Sequence, residues 1–117
     1  MTEAIIAFGL FAALGVLAGL LAIAPTTLLI SGFWIAVVGL AFGVPTGAVY
    51  HIALRRALLG AQRLPARWWL HPTSLHDELP DAARTGVLAW CYAGALGFLV
   101  TIAGCGLVAI AAFRLSS

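Results

Sequence analysis

The sequence predicts an all-α integral membrane protein with three transmembrane helices, a tight first hairpin and a cytoplasmic loop between the second and third helices. Hydrophobic residues make up 63% of the chain and charged residues only 9%, whereas soluble domains run at about 45–50% apolar and about 25% charged. The charges also leave three long uncharged segments, each able to cross about 30 Å of hydrocarbon as a helix. We therefore expect a single transmembrane domain over residues 1–117.

The first predicted span covers residues 4–24, which contain no charged side chain. Pro25 supplies no backbone N–H and disfavours the helical conformation at Ala24, so the helix should stop there. The next apolar segment begins almost at once. The first two spans are therefore expected to form a tight, uncharged hairpin.

The second predicted span covers residues 27–50 and contains Pro45, which should bend the helix without ending it. Good helix formers continue past Tyr50, and Arg55 and Arg56 would suit the negative end of the helix dipole. Gly60 is the expected C-cap.

The third predicted span covers residues 85–113. Pro80 and Asp81 precede it, and a proline followed by an acid is typical of a helix start. The helix is thus expected to begin outside the membrane, at the end of the loop 51–84.

The arginines predict the orientation of the chain, because five of the six lie in the loop 51–84. Positive charge favours the cytoplasmic side, so we expect the loop and the N-terminus there and the C-terminus on the periplasmic or extracellular side. Arginine without lysine, beside abundant alanine and glycine, suggests a GC-rich bacterial genome. The expected location is the bacterial inner, or cytoplasmic, membrane.

Small residues recur every four positions in all three spans, which gives each helix a smooth face for close packing. The expected packing residues are Gly15, Gly19, Gly39, Gly43, Gly47, Ala93, Gly97, Thr101 and Cys105. Two uses remain open, because the faces either pack the three helices together or leave one face for another chain. Gly43 is the middle of its row, so Gly43→Leu should disrupt assembly or stability.

Two segments of the loop could bind other molecules. Arg67, Trp68 and Trp69 have the composition of a membrane-interface anchor, because indole rings favour the headgroup level and arginine reaches phosphate. A few residues further on, histidines and acids concentrate in one short stretch. Its candidate site residues are His71, His76, Asp77 and Glu78.

Imidazole and carboxylate groups together could hold a divalent metal, but the spacing of this cluster matches no zinc motif. The interpretation we favour is a short helix with Thr73 or Ser74 as its cap, since Ser74 and Asp77 have the spacing of a capping box. Leu75 and Leu79 would then face the membrane or the helices, and His76 would lie in water with the two acids. The cluster would then be a docking surface or a lid. No metal and no cofactor are predicted.

The membrane segments contain no Asp, Glu, Lys, Arg, His, Asn or Gln between Ala4 and Tyr50 or between Thr85 and Phe113. Pumps, ion-coupled transporters and proton channels usually need such groups at membrane depth. His51 alone is only a weak signal of a haem site, because no second histidine lies within a span to supply the opposite ligand.

The predicted function is that of a small non-catalytic membrane protein that packs laterally, as an accessory subunit of a larger complex or as a homo-oligomer. The alternative is an interfacial enzyme or metal-binding protein that uses the His/acid cluster of the loop. Expected partners are membrane lipids and other membrane subunits or itself. Nucleic acid is not expected, because the formal charge is only +2.

Overall fold

The structure is a computed structural model that describes all 117 residues, and it contains helices and no strands. The long helices are α1 (Thr2–Ala22), α2 (Pro25–Gly60) and α3 (Asp81–Ser116). Two short 3₁₀ helices, Trp68–Leu70 and Pro72–Glu78, lie between α2 and α3. All three long helices are long and apolar enough to cross a membrane.

Prolines stand at the starts of the second and third helices. Pro25 is the first residue of α2, and Pro80 immediately precedes α3, where the missing N–H costs no intrahelical hydrogen bond. Only Ile23 and Ala24 separate α1 from α2. Pro45 lies inside α2 without ending it, although no N–H reaches the Ala41 carbonyl at that point.

The C-terminus of α2 differs from the glycine cap expected from the sequence. Gly60 is still helical, and the left-handed residue is Gln62, with φ of 57°. The Gln62 N–H donates to the Leu59 carbonyl at 3.1 Å and the Arg63 N–H to the Leu58 carbonyl at 2.9 Å, which is the Schellman pattern. A non-glycine residue therefore turns the chain back towards the helices.

The helices α2 and α3 pack antiparallel along their length, whereas α1 lies apart from both. No residue of α1 is buried. The molecule measures 56 × 38 × 21 Å, and its second dimension exceeds the width of two adjacent helices, each about 10–12 Å across. The three helices therefore do not form one closed bundle.

One arginine at the C-terminal end of α3 ties α1 to the packed pair. Nη1 of Arg114 donates to the Ile23 carbonyl at 2.6 Å and to the Leu20 carbonyl at 3.2 Å. Carbonyls in the last turn of a helix lack intrahelical donors, and a cation suits that end of the helix dipole. Arg114 thus caps α1, a role that the sequence did not reveal.

The interface between α2 and α3 changes character along its length. Small residues line it from Gly32 to Gly47, and large residues line it from Tyr50 to Leu58. Each helix of 36 residues is about 54 Å long, so a helix crossing about 30 Å of hydrocarbon extends well beyond it. The end with the large side chains is also the end that carries the loop.

Candidate functional site

The glycine-lined part of the α2–α3 interface, which we call the helix crossing, brings the two backbones into contact. A Cβ built on Gly97 would overlap the Cα of Gly43, and one on Gly104 would overlap the backbone N of Ala36. A Cβ on Gly39 would lie 2.6 Å from the Thr101 N. No side chain fits at these positions unless the helices separate.

Hydroxyl groups at the helix crossing are satisfied within their own helices. The Thr46 hydroxyl donates to the Phe42 carbonyl, and the Thr101 hydroxyl to the Gly97 carbonyl, each at 2.8 Å. Such bonds to the preceding turn commit the one proton that each hydroxyl can donate. The residues of the helix crossing therefore serve to pack the two helices together.

The contact on α3 does not follow the predicted row of Ala93, Gly97, Thr101 and Cys105. Gly97 is buried and Thr101 touches Gly39, but Cys105 is exposed and Gly104 takes its place. Four residues turn a helix by about 400°, so a row with a spacing of four drifts around the helix by about 40° per step. A step of three, from Thr101 to Gly104, restores the contact.

Three other predicted packing positions behave differently from Gly43. Gly47 has open space where its Cβ would be, yet a Cβ on Gly94 would lie 3.3 Å from the Gly47 Cα. On α1, Gly15 and Gly19 have nothing within 4 Å of the place a Cβ would occupy. The smooth face of α1 is therefore not used inside this chain.

A hydrophobic cluster fills the loop end of the α2–α3 interface, and we call it the loop-end core. Leu54 and Leu58 are completely buried, Leu79 is 2% exposed, and Tyr50 and Val87 complete the cluster. Tyr50, Leu54 and Leu58 follow one another every four residues on one face of α2. This face packs against α3 and against the end of the loop.

His76 reaches into the loop-end core and does not lie in water as predicted. Its Nε2 shares a hydrogen bond of 2.6 Å with the Tyr50 hydroxyl, and the imidazole is partly buried. A tyrosine hydroxyl that leaves water needs such a partner. The Tyr50–His76 pair therefore fixes the second 3₁₀ helix against α2.

His51, on the neighbouring face of α2, binds its own helix. Its Nδ1 donates to the Gly47 carbonyl at 2.8 Å, and its ring lies 6.0 Å from the Trp68 ring between centroids. The Nδ1 proton is thus engaged, and Trp68 packs against the loop-end core. Of the predicted interface anchor, Arg67 and Trp69 are exposed, whereas Trp68 is half-buried.

The short helix near Ser74 exists, but its start differs from the prediction. It is a 3₁₀ helix that begins at Pro72, with His71 as N-cap and no side-chain cap. The Ser74 hydroxyl donates to the His71 carbonyl at 2.7 Å, so it does not form a capping box with Asp77. A proline preorganised for the first helical position explains the earlier start.

The four predicted cluster residues do not converge on one point. His76 is turned to Tyr50, while His71, Asp77 and Glu78 are exposed. No three His, Cys, Asp or Glu side chains of the chain are close enough together to hold a metal ion. As for the cysteines, Cys91 is half-buried against the loop-end core and Cys105 is exposed.

The fold and these surfaces define an all-helical protein whose three apolar helices are able to cross a membrane, with two of them packed through glycines. Comparison with protein-family models, with curated proteins and with solved structures finds no match to the chain.

Proposed function

We propose that this chain is a small non-catalytic membrane protein that packs laterally through α1 against another membrane subunit or a second copy of itself. The observation that supports this most is the exposure of α1, which is a full-length apolar helix with no buried residue. In the other two helices Gly39, Gly43 and Gly97 are taken up by the contact between α2 and α3, whereas Gly15 and Gly19 of α1 have open space around them. The row of small residues on α1 is therefore available for close approach by another helix.

The chemistry of the rest of the chain supports a packing role. Hydroxyls at the helix crossing bond within their own helices, and the imidazoles of His51 and His76 are engaged by the Gly47 carbonyl and by Tyr50. The alternative of a loop enzyme or metal protein therefore gains no support from the loop geometry. Of its four candidate residues, His76 is turned to Tyr50 and the other three are exposed without converging on one point.

The lateral contact predicts different effects for glycines inside and outside the row of Gly15 and Gly19. These two glycines lie about 40° apart around the helix, whereas Gly9 lies about 80° beyond Gly19 around the helix and about 9 Å from Gly15 along its axis. Gly15→Leu combined with Gly19→Leu should reduce the mass of the gently solubilised assembly to one chain of 12.2 kDa. Light scattering coupled to size exclusion measures this mass.

The matched control for this experiment is Gly9→Leu, which adds the same side chain to α1 and also meets open space. It should leave the assembly intact. Because no residue of α1 is buried, none of these variants should disturb the packing of α2 against α3. The proposal would be contradicted if the parent protein had the mass of a single chain. It would also be contradicted if Gly9→Leu dissociated the assembly as fully as the double substitution does.

We further propose that the protein lies in a bacterial inner membrane with its N-terminus and loop cytoplasmic and its C-terminus periplasmic. The loop end carries five of the six arginines, and Arg114, at the other end, is engaged with the carbonyls of α1. A reporter cysteine replacing Ala66 or Ser117, with Cys91 and Cys105 changed to alanine, tests the orientation. An impermeant maleimide should label the Ser117 reporter on intact spheroplasts and the Ala66 reporter only after lysis, and the reverse pattern would refute this topology.

A further inference from the structure

Three arginines at the loop end make no ion pair and no side-chain hydrogen bond within the protein. Arg55, Arg56 and Arg67 are exposed, and the only ion pair in the chain joins Arg84 to Asp81 at 3.5 Å. None of the three makes a side-chain hydrogen bond within the protein, unlike Arg63, whose Nη1 donates to the Glu78 carbonyl at 3.2 Å. Their donors are therefore available to another molecule.

The contact between His51 and Trp68 indicates that two of these arginines, Arg55 and Arg67, lie on the same side of α2. The Trp68 ring packs beside His51, and Arg55 follows His51 by four residues, one turn further along the same face. Arg67 is adjacent to Trp68 in the chain. Arg56 is displaced by about 100° around the helix from Arg55, so it points along a different face.

An exposed apolar surface continues from this pair of arginines. Trp69 is 60% exposed and Leu70 is 47% exposed, although both lie in an ordered 3₁₀ helix. A guanidinium group binds phosphate oxygens through two parallel N–H donors, and indole rings favour the headgroup level of a bilayer. We call Arg55, Arg67, Trp69 and Leu70 the cationic–aromatic patch.

Acidic side chains of the loop end belong to the other part of the loop. Asp77 and Glu78 lie at the end of the second 3₁₀ helix, where Arg63 binds the Glu78 backbone, and Asp81 is paired with Arg84. No acid occurs between His51 and Leu70. The segment that bears the patch is therefore uniformly cationic.

We propose that the cationic–aromatic patch binds the phosphate group of an anionic phospholipid, with Arg55 and Arg67 holding the phosphate and Trp69 and Leu70 entering the leaflet. The partner chemistry follows from charge complementarity combined with exposed apolar side chains, because a free anion would use only the arginines. This proposal rests on the membrane location proposed above and not on the lateral packing of α1.

The test uses the full chain with Trp34→Phe and Trp90→Phe, so that Trp68 and Trp69 are the only fluorescent indoles. The protein is reconstituted into phosphatidylcholine bilayers that contain either brominated phosphatidylglycerol or brominated phosphatidylcholine, and quenching reports which lipid lies beside the loop. We expect phosphatidylglycerol to be preferred, with about a five-fold loss of preference for each patch arginine removed. Arg55→Gln combined with Arg67→Gln should abolish the preference.

The matched control is Arg56→Gln, which removes the same charge one position away and should leave most of the preference. Equal quenching by both lipids in the parent protein would overturn the proposal. An equal effect of Arg55→Gln and Arg56→Gln would also overturn it, because the arginines would then attract the anionic lipid through their overall charge and not through a site. Displacement by inorganic phosphate at matched ionic strength would show a site for free anion and would also overturn it. No quenching by either lipid would instead contradict the membrane location.

Discussion

Gly97→Leu is expected to force α2 and α3 apart and to lower the stability of the protein by about 3 kcal/mol, the upper part of the usual range for overpacking. A Cβ at this position already overlaps the backbone of Gly43, and backbone cannot move aside as a flexible side chain can. Gly97 is buried within the helix crossing. The unfolding temperature in mild detergent, followed by tryptophan fluorescence, measures the loss.

Gly106→Leu is the matched control for this substitution. It lies on the same helix, and nothing stands within 4 Å of the place its Cβ would occupy. Leucine has the higher helix propensity, so the control should be as stable as the parent or slightly more stable. If both substitutions lowered the unfolding temperature equally, close approach of the two helices would not be what stabilises the pair.

Leu54→Ala is expected to cost about 2–5 kcal/mol, the range for removing a large buried aliphatic side chain. Leu54 is completely buried in the loop-end core between α2, α3 and Leu79. The loss of stability should be large because the hydrophobic effect requires surrounding water. This end of the helices extends past the length needed to cross the hydrocarbon, so its buried side chains are removed from water when the protein folds. The unfolding temperature again measures it.

Leu59→Ala removes the same atoms five residues later, from a side chain that is 46% exposed. Its cost should stay within about 0.5 kcal/mol, as for surface substitutions elsewhere. A loss from Leu54→Ala no larger than that from Leu59→Ala would contradict the existence of a water-driven core at the loop end.

The residues that sequence reasoning missed are those that act over long distances. Arg114 simply follows the last predicted span in the sequence, yet in the structure it contacts Leu20 and Ile23, more than ninety residues earlier. The row of Tyr50, Leu54 and Leu58 was visible as an apolar spacing of four, but it was interpreted only as the continuation of a helix. A large apolar row beyond the length of a span would have indicated a core outside the hydrocarbon.

The sequence by itself determined the all-helical class and the three apolar helices, because uncharged length and the positions of proline act within a single segment. It also determined that glycines would permit close helix contact. Only the tertiary structure decided that Gly104 and not Cys105 lies in that contact, that His76 turns to Tyr50, and that α1 stays unpacked. Those outcomes depend on how one helix is rotated and placed against another, and a pattern within one helix does not contain the position of its neighbour.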